Sequence, residues 1–380
     1  MAEGFLLDDV RGCGEPGSPS RTAALRRDFL LDGGATGGSG AGSGPAAPAP
    51  VIRLDNASNP RPIGPAVIAI GAFDGVHAGH RELIARTVAD ARSRGAAAVA
   101  VTFDPDPDVV ISPHPAAKLM TVADRLAELS RTGLDAVLAV PFTRDVAALG
   151  PADFFDKVLA PAVDVKAVHV GSNFRLGAGG RADVPALRAW LGGRGVPVTG
   201  HELVRDEGET VSATRIRALL GTGDLDAANR ELGRHYMVRG IVVHGRGQGT
   251  GLGFPTANVE RRGLIQMPRD GVYAGWALTS EGVAYPAAIN VGLPPMFAGD
   301  PNSSTLEATL IGFSGDLYDR PLAVSFTELL RPPASFPSLD ALIDAVKGNL
   351  ADVAERFGEH GVDLRADHAD AASINAEECA

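Results

Sequence analysis

Between Val67 and Leu203 the chain alternates short apolar runs with helical stretches, and this rhythm restricts its fold more than any other feature. Val67-Ile68-Ala69-Ile70 is apolar at every position. A strand of that kind has both faces covered, as in a parallel sheet wrapped by helices, whereas a strand with one wet face alternates. Gly79–Ser93 then reads as a helix and Ala98–Phe103 as the next strand. Helices over Val122–Ser130, Ala152–Leu159 and Pro185–Leu191 continue the series, between strands over Ala136–Val140, Ala167–Val170 and Pro197–Leu203. This order predicts a doubly wound α/β domain, closed by two short helices at Ala213–Leu220 and Asp226–Leu232.

After Gly233 the rhythm changes. Val238–His244, Val272–Leu278, Ala284–Val291, Thr305–Ile311 and Leu322–Thr327 are rich in β-branched residues and separated by Gly-Asp, Glu-Gly and Asp-Gly turns. Five or six such strands predict a small antiparallel β-barrel, with an amphipathic covering helix from Leu339 to Phe357. The domains therefore read as 51–232 and 233–358. Residues 1–50 contain Gly33-Gly34-Ala35-Thr36-Gly37-Gly38-Ser39-Gly40 and a Pro-Ala run. Such a segment buries little and loses much backbone entropy on ordering, so it reads as a disordered extension with at most a short helix over Ala24–Leu31. Residues 359–380 read as a frayed tail.

Hydrophobic residues make up 45% of the 380, enough to fill two cores, and the formal net charge is -11. An acidic surface repels phosphate backbones, which argues against nucleic acid as partner and leaves small-molecule substrates. The two cysteines, Cys13 and Cys379, lie in the terminal tails, without metal-ligand spacing. That leaves a disulfide framework or zinc site unsupported and fits a reducing cytoplasm. No apolar run approaches the roughly 20 residues that span a bilayer, and no apolar core follows a basic start.

Two segments carry chemistry. Gly71-Ala72-Phe73-Asp74-Gly75-Val76-His77-Ala78-Gly79-His80 follows a buried strand and opens a helix. A loop there sits at the carboxyl edge of the sheet, where the helix start offers free N–H groups to phosphate. His77 and His80 can point two imidazoles into one place, and Gly79 permits close approach of backbone to ligand. Taken alone, His-x-Gly-His fits two surface histidines equally well. The second segment is Gly245-Arg246-Gly247-Gln248-Gly249-Thr250-Gly251-Leu252-Gly253, running into Phe254-Pro255-Thr256-Ala257-Asn258. It lacks the Gly-Lys-(Ser/Thr) ending of a P-loop and the setting of a dinucleotide fingerprint, yet its N–H groups can wrap a phosphate. Thr256 and Asn258 supply the oxygen ligands that Mg²⁺ accepts; the alternative is an ordinary turn in which both bond to nearby backbone.

The first loop resembles that of the bacterial bifunctional riboflavin kinase/FMN adenylyltransferases, and the resemblance runs from about Val67 to Phe357. It implies an N-terminal nucleotidyltransferase domain and a C-terminal kinase barrel, with ATP, riboflavin and FMN as substrates and Mg²⁺ as cofactor. His77 and His80 would then bind ATP phosphates, with Gly71, Phe73, Asp74 and Gly79 shaping the nucleotide loop. Gly171-Ser172-Asn173-Phe174-Arg175 resembles the segment lining the flavin cleft, which implicates Asn173, Phe174 and Arg175. Ser212-Ala213-Thr214-Arg215-Ile216-Arg217 resembles a phosphate-holding motif through Ser212, Thr214 and Arg217; Ser212 is also an apt helix cap. In the barrel, Gly245, Gly247 and Gly249 would hold ATP phosphates, and Thr256 and Asn258 the Mg²⁺. Glu307, in Leu306-Glu307-Ala308-Thr309-Leu310, matches the glutamate that takes the proton from the ribityl hydroxyl. By periodicity alone Glu307 would face solvent. Arg331 matches an arginine at the flavin edge and would otherwise read as a solvated charge.

The chain departs from the family pattern at several places. Asp106 stands where histidine is usual, Ala213 replaces a serine, Leu176 a phenylalanine and Thr250 an arginine, while Pro294 and Met296 also differ. An anionic Asp106 near a triphosphate would repel it. These departures keep open a kinase-only enzyme, a paralogue for a flavin analogue and a non-catalytic flavin-binding protein, although binding alone has no use for a base such as Glu307.

Overall fold

The structure, a computed structural model, describes residues 19–31, 48–54, 62–245, 254–261, 263–292 and 306–365. The chain packs as two compact units, Asp32–Arg215 and Ile216–Ala380, and the N-terminal residues up to Leu31 belong with the second.

The first unit is a six-stranded, wholly parallel sheet. Its strands are β1 (Val51–Arg53), β2 (Pro65–Ile70), β3 (Ala97–Asp104), β4 (Ala136–Pro141), β5 (Asp164–Gly171) and β6 (Val198–His201), in the spatial order β1-β4-β3-β2-β5-β6. Ile68, Val99, Leu138 and Val168 are fully buried at its centre, as continuous apolar runs require. Helix Ala78–Arg94 packs against β2, β3 and β5 and ends at Gly95, whose φ of 62° closes the last turn onto the carbonyls of Ala91 and Arg92. The strand order reverses around β2, which puts the carboxyl ends of β2 and β5 side by side at the switch point where such sheets bind ligands. The Ala152–Leu159 helix is instead a short turn, Pro151–Asp153, followed by a wider π-helical segment, Phe154–Leu159.

The second unit contains a closed antiparallel barrel of β7 (Tyr236–Val243), β8 (Ala257–Arg261), β9 (Gly271–Leu278), β10 (Val283–Val291), β11 (Leu306–Leu310) and β12 (Pro321–Arg331). The order runs β9-β12-β7-β8-β11-β10, and β10 pairs back with β9. Gly275 brings β9 close against β12: a Cβ there would lie 1.9 Å from the Ser325 carbonyl oxygen. Helix Leu339–Phe357 begins at the Ser338 cap, whose side chain accepts from the Ala341 N–H, and packs on β9 and β10.

Three boundaries differ from the sequence reading. Residues 19–31 are not a loose extension. Pro19–Asp28 is a helix, Leu25 and Phe29 are fully buried, and the Arg21 guanidinium donates to the Phe357 carbonyl at 3.0 Å. The buried Asp28 accepts the His235 backbone N–H at 3.1 Å and pairs with His235 Nδ1 at 2.7 Å. Glycine-rich composition next to this helix hid a few apolar side chains that find their partners only far along the chain. Residues 48–50 also pack: the Ala49 N–H donates to the Ser130 carbonyl and the Val137 N–H to the Pro50 carbonyl. At the other end, Val362–Asp363 pairs with β10 and Leu364 is buried, so order continues past residue 358. Finally, the units meet at Arg215 and Ile216 instead of at 232. Helix Leu225–Leu232 packs on β7 and β12, and Asn229 ties it there, donating to the Phe326 carbonyl and accepting the Tyr236 N–H.

Candidate functional sites

In the parallel-sheet unit, Gly71 to His77 turns β2 into the helix Ala78–Arg94. Phe73 and Val76 have φ of 55° and 42°, an unfavourable region for side chains of this size, and such strain clusters at ligand-binding turns. Gly71 fits beneath the Phe73 ring, where a Cβ would come within 3.2 Å of it. The buried Asp74 accepts the Leu119 N–H at 2.8 Å, which anchors the loop from below. The His77 and His80 rings stack with centroids 3.6 Å apart, and Phe73 meets His80 edge-on at 5.2 Å. Gly79 makes room for this stack: a Cβ would fall 3.2 Å from His77 Cε1. The glycine thus serves the histidine ring directly. Burial, the neighbouring His77 and the Arg125 and Arg81 guanidiniums hold His80 well below the usual imidazole pKa, so the ring is neutral. Its Nδ1 is buried and has no hydrogen-bond partner among the described residues. A buried N–H without an acceptor is costly, which places the proton of the neutral ring on Nε2.

Asp106 differs from expectation. It is buried and forms an ion pair with the fully buried Arg125, which also donates to the Phe103 carbonyl at 2.6 Å. The carboxylate is therefore compensated by a cation from the helix Val122–Ser130, and the expected repulsion of a triphosphate does not arise from a bare anion. Arg81 is likewise paired with Glu128 of the same helix.

Register Ala69↔His169 between β2 and β5 puts Gly171 level with Gly71 at the same sheet edge. The Ser172 N–H donates to the His201 carbonyl at 2.8 Å, and the Phe174 N–H to the Gly171 carbonyl at 3.0 Å. Asn173 Oδ1 folds back to 3.2 Å from the Cβ position of Gly171. Asn173 and Arg175 are exposed, and Phe174 packs against the core. Ser212 caps the next helix, its Oγ accepting the Arg215 N–H at 3.2 Å; Thr214 lies in that helix's first turn. Arg217 falls beyond the Arg215/Ile216 boundary, among residues of the barrel unit.

In the barrel unit, strand register builds the site. Asn258 of β8 pairs with Glu307 of β11, and Glu307 with Asn290 of β10. Three polar side chains therefore form one row across three strands, with neighbouring Cβ atoms about 4.5–5.5 Å apart. Glu307 is partly buried in that row, on the less buried face of its strand. Asn290 was not singled out from the sequence; its signal was an amide within the apolar run Ala284–Val291. Gly245 lies against Asn258: a Cβ would fall 2.2 Å from Asn258 Nδ2. Thr256, partly buried, leads into β8. Arg331 is partly exposed and has protein partners. Its Nε donates to Asn349 Oδ1 at 3.2 Å, its guanidinium sits 5.3 Å from the Phe336 ring centroid, and burial lowers its pKa. Gly247, Gly249, Thr250, Pro294 and Met296 lie outside the described residues.

Among the described residues no helix is long and apolar enough to cross a membrane, and no group of three or more His, Cys, Asp or Glu side chains could hold a metal ion.

Comparison with known proteins finds two families along the chain. Residues 60–215 match the FAD synthetase family and residues 232–357 the riboflavin kinase family. A bifunctional riboflavin kinase/FMN adenylyltransferase from Pseudomonas fluorescens is 35% identical over 285 residues, covering 75% of this chain and 91% of the relative. The enzyme of that description from Escherichia coli K12 is 33% identical, covering 77% and 93%, and that from Bacillus subtilis 28% identical, covering 74% and 89%. A crystal structure described as a macrolide-efflux protein from Streptococcus pneumoniae superposes with a TM-score of 0.70 at 27% identity, covering 80% of this chain and 98% of its own.

Proposed function

We propose the following division of labour for this chain, which belongs to the bifunctional riboflavin kinase/FMN adenylyltransferase family and carries out ATP-dependent phosphorylation of riboflavin to FMN and adenylylation of FMN to FAD. In the barrel, Glu307 accepts the proton of the ribityl 5′-hydroxyl as that oxygen attacks the γ-phosphorus of ATP and ADP leaves. The observation that carries this assignment is the Asn258–Glu307–Asn290 row, which sets a carboxylate between two amides at the end of the glycine-rich loop. The donor set suits Mg²⁺: the Thr256 hydroxyl and the Asn258 side-chain oxygen are hard ligands, and the missing Cβ of Gly245 leaves the Asn258 amide room beside the backbone. Bound there with ATP, the ion supplies charge neutralisation on the phosphates. Gly245, Gly247 and Gly249 offer backbone N–H groups to the same phosphates, and Arg331 borders the flavin.

In the parallel-sheet unit, a phosphate oxygen of FMN attacks the α-phosphorus of ATP and pyrophosphate leaves. His77, His80 and the N–H groups of the helix start stabilise the charge that builds on the phosphates. His80, held neutral, gives a hydrogen bond from Nε2 instead of a fixed charge. Gly71, Phe73, Asp74 and Gly79 hold the loop in shape, and Ser212 and Thr214 serve the phosphates. Asn173, Phe174 and Arg175 face the flavin. The site is cytoplasmic, with small molecules as its partners.

The test is direct. The protein is incubated with riboflavin, ATP and Mg²⁺ and the flavins are separated by chromatography, beside Glu307→Gln supplied with riboflavin or with FMN. We expect FAD from the parent protein, and from Glu307→Gln no FMN from riboflavin but undiminished FAD from added FMN. FMN formation by Glu307→Gln at the parental rate overturns the base assignment.

A further inference from the structure

We infer that a chain of side chains, Asp90–His169–His201, positions the adenylyltransferase site, and that the His201 ring must be neutral for the site to hold FMN tightly. The inference deepens the reading of Gly171–Arg175 as the flavin segment and rests on it. His169 Nε2 lies 3.0 Å from Asp90 Oδ2, and His169 Nδ1 lies 2.8 Å from His201 Nε2, with the two rings stacked at 4.9 Å. Arg86 Nη1 lies 3.4 Å from His201 Nδ1. One proton assignment satisfies every link. Arg86 donates to His201 Nδ1, the His201 Nε2–H donates to His169 Nδ1, and the His169 Nε2–H donates to Asp90, with each imidazole neutral. Hydrogen bonds from His169 and Arg94 hold the Asp90 carboxyl low against its partial burial, so it accepts throughout.

The chain ends where three parts of the site converge. His201 is the last residue of β6, and its carbonyl accepts the Ser172 N–H of the flavin segment. Two residues on, Leu203 Cδ2 lies 3.3 Å from the Cβ position of Gly171, and Val204 Cβ lies 3.9 Å from that of Gly79 in the histidine loop. The Val204 carbonyl accepts the Val211 N–H, immediately before Ser212. Residues 201–204 thus lie against the flavin segment, the histidine loop and the residue before the phosphate-holding motif; the backbone of His201 joins them to the sheet and its ring ties them to His169.

Adding a proton breaks the sequence of donors. If His169 donates from both nitrogens, the facing nitrogen of His201 must accept, and the hydrogen of that ring then meets the Arg86 guanidinium. If both rings are charged, two cations face each other across the 2.8 Å link. The charged groups around the pair are Glu82, Arg86, Asp90 and Arg94 of the helix Ala78–Arg94. Burial first, then His169 and Arg86, lower the His201 pKa, opposed by Glu82. Its folded form therefore binds fewer protons than the unfolded chain. The ordered state is fully favoured above the ordinary imidazole value of about 6.5 and loses its advantage as pH falls below it.

Steady-state FMN adenylylation by the full chain, measured between about pH 7.5 and about pH 5.5, tests this, because histidine titrates in that window. The FMN phosphate also titrates near 6, equally for every variant, so only differences between variants count. We expect the parental KM for FMN to rise about fivefold more on acidification than that of His201→Gln, the loss of one hydrogen bond. The amide of His201→Gln can donate to His169 but cannot be charged, whereas His201→Ala raises KM at every pH. The calorimetric unfolding transition of the parallel-sheet unit, which contains His201, reports that each variant is folded. Identical pH profiles for the parent and His201→Gln overturn the inference. A pH-dependent rise removed by His201→Gln that falls on the KM for ATP instead of FMN upholds the positioning chain and overturns the flavin assignment of Asn173.

Discussion

Replacing Phe29 or Asp28 with alanine perturbs the kinase barrel from a segment of the chain that lies outside the residues matching either family. Phe29 is fully buried, and truncating a buried phenylalanine costs about 3–5 kcal/mol. Asp28 is also fully buried and accepts from both the backbone N–H and the Nδ1 of His235. Removing it strands two donors away from water at about 1–3 kcal/mol each. For a unit of this size each kcal/mol moves the melting midpoint by about 2–4 °C, so a loss of about 3 kcal/mol lowers it by about 6–12 °C. Calorimetry should show the barrel transition shifted and the parallel-sheet transition in place, because helix Pro19–Asp28 packs with the barrel unit. Riboflavin phosphorylation should be lost at the lower temperature while adenylylation of added FMN continues. Deleting residues 1–31 should act in the same direction and more strongly. A barrel transition at its parental temperature in both substitutions and the deletion refutes the argument and returns the segment to a dispensable extension.

Three further outcomes are expected. Asp106→His strips the buried Arg125 of its carboxylate, which should cost about 3–5 kcal/mol in the adenylyltransferase unit and lower FAD formation, with thermal unfolding as the check; a rise in FAD formation would restore the idea of a repelling anion. Thr256→Ala or Asn258→Asp should remove most FMN formation while leaving adenylylation of supplied FMN intact, as read by single-step assays with each substrate. His77→Ala and His80→Ala should each reduce FAD formation by about 10²-fold, the scale of losing one transition-state donor, with FMN accumulating from riboflavin.

Much of this architecture could be read in the sequence because its signals are local. Continuous apolar runs such as Ile68–Ile70 can only be buried strands, and Gly71 to His80 sits where one of them meets a helix. Several short strands escaped, Val51–Arg53 and Ala257–Arg261 among them. Val51–Arg53 spans three residues at the sheet edge, too short for any periodicity, and Ala257–Arg261 begins beside Pro255, which reads as loop. Side-chain partnerships were the larger omission. Arg125 lies 19 residues from Asp106 and on a helix that had no evident link to it. Asn290 joins Glu307 only through strand register, and the His169–His201 pair comes from neighbouring strands whose sequences reveal nothing about proton donors. Such pairings are set by tertiary geometry, which periodicity does not encode.

The anchoring of helix Pro19–Asp28 also bears on the order in which the chain can mature. Its partners include His235, 207 residues away, and Phe357, 336 residues away. Residues 32–215 form a unit of their own, inserted between the first and last parts of the barrel unit. During synthesis the parallel-sheet unit is therefore complete while the barrel has still to be translated, and the helix must wait with Leu25 and Phe29 uncovered. The step that joins the two ends of the barrel unit spans nearly the whole polypeptide. Closing so long an intervening segment costs little more than closing one of half the length, roughly 0.6 kcal/mol, so the insertion delays assembly far more than it weakens the finished unit.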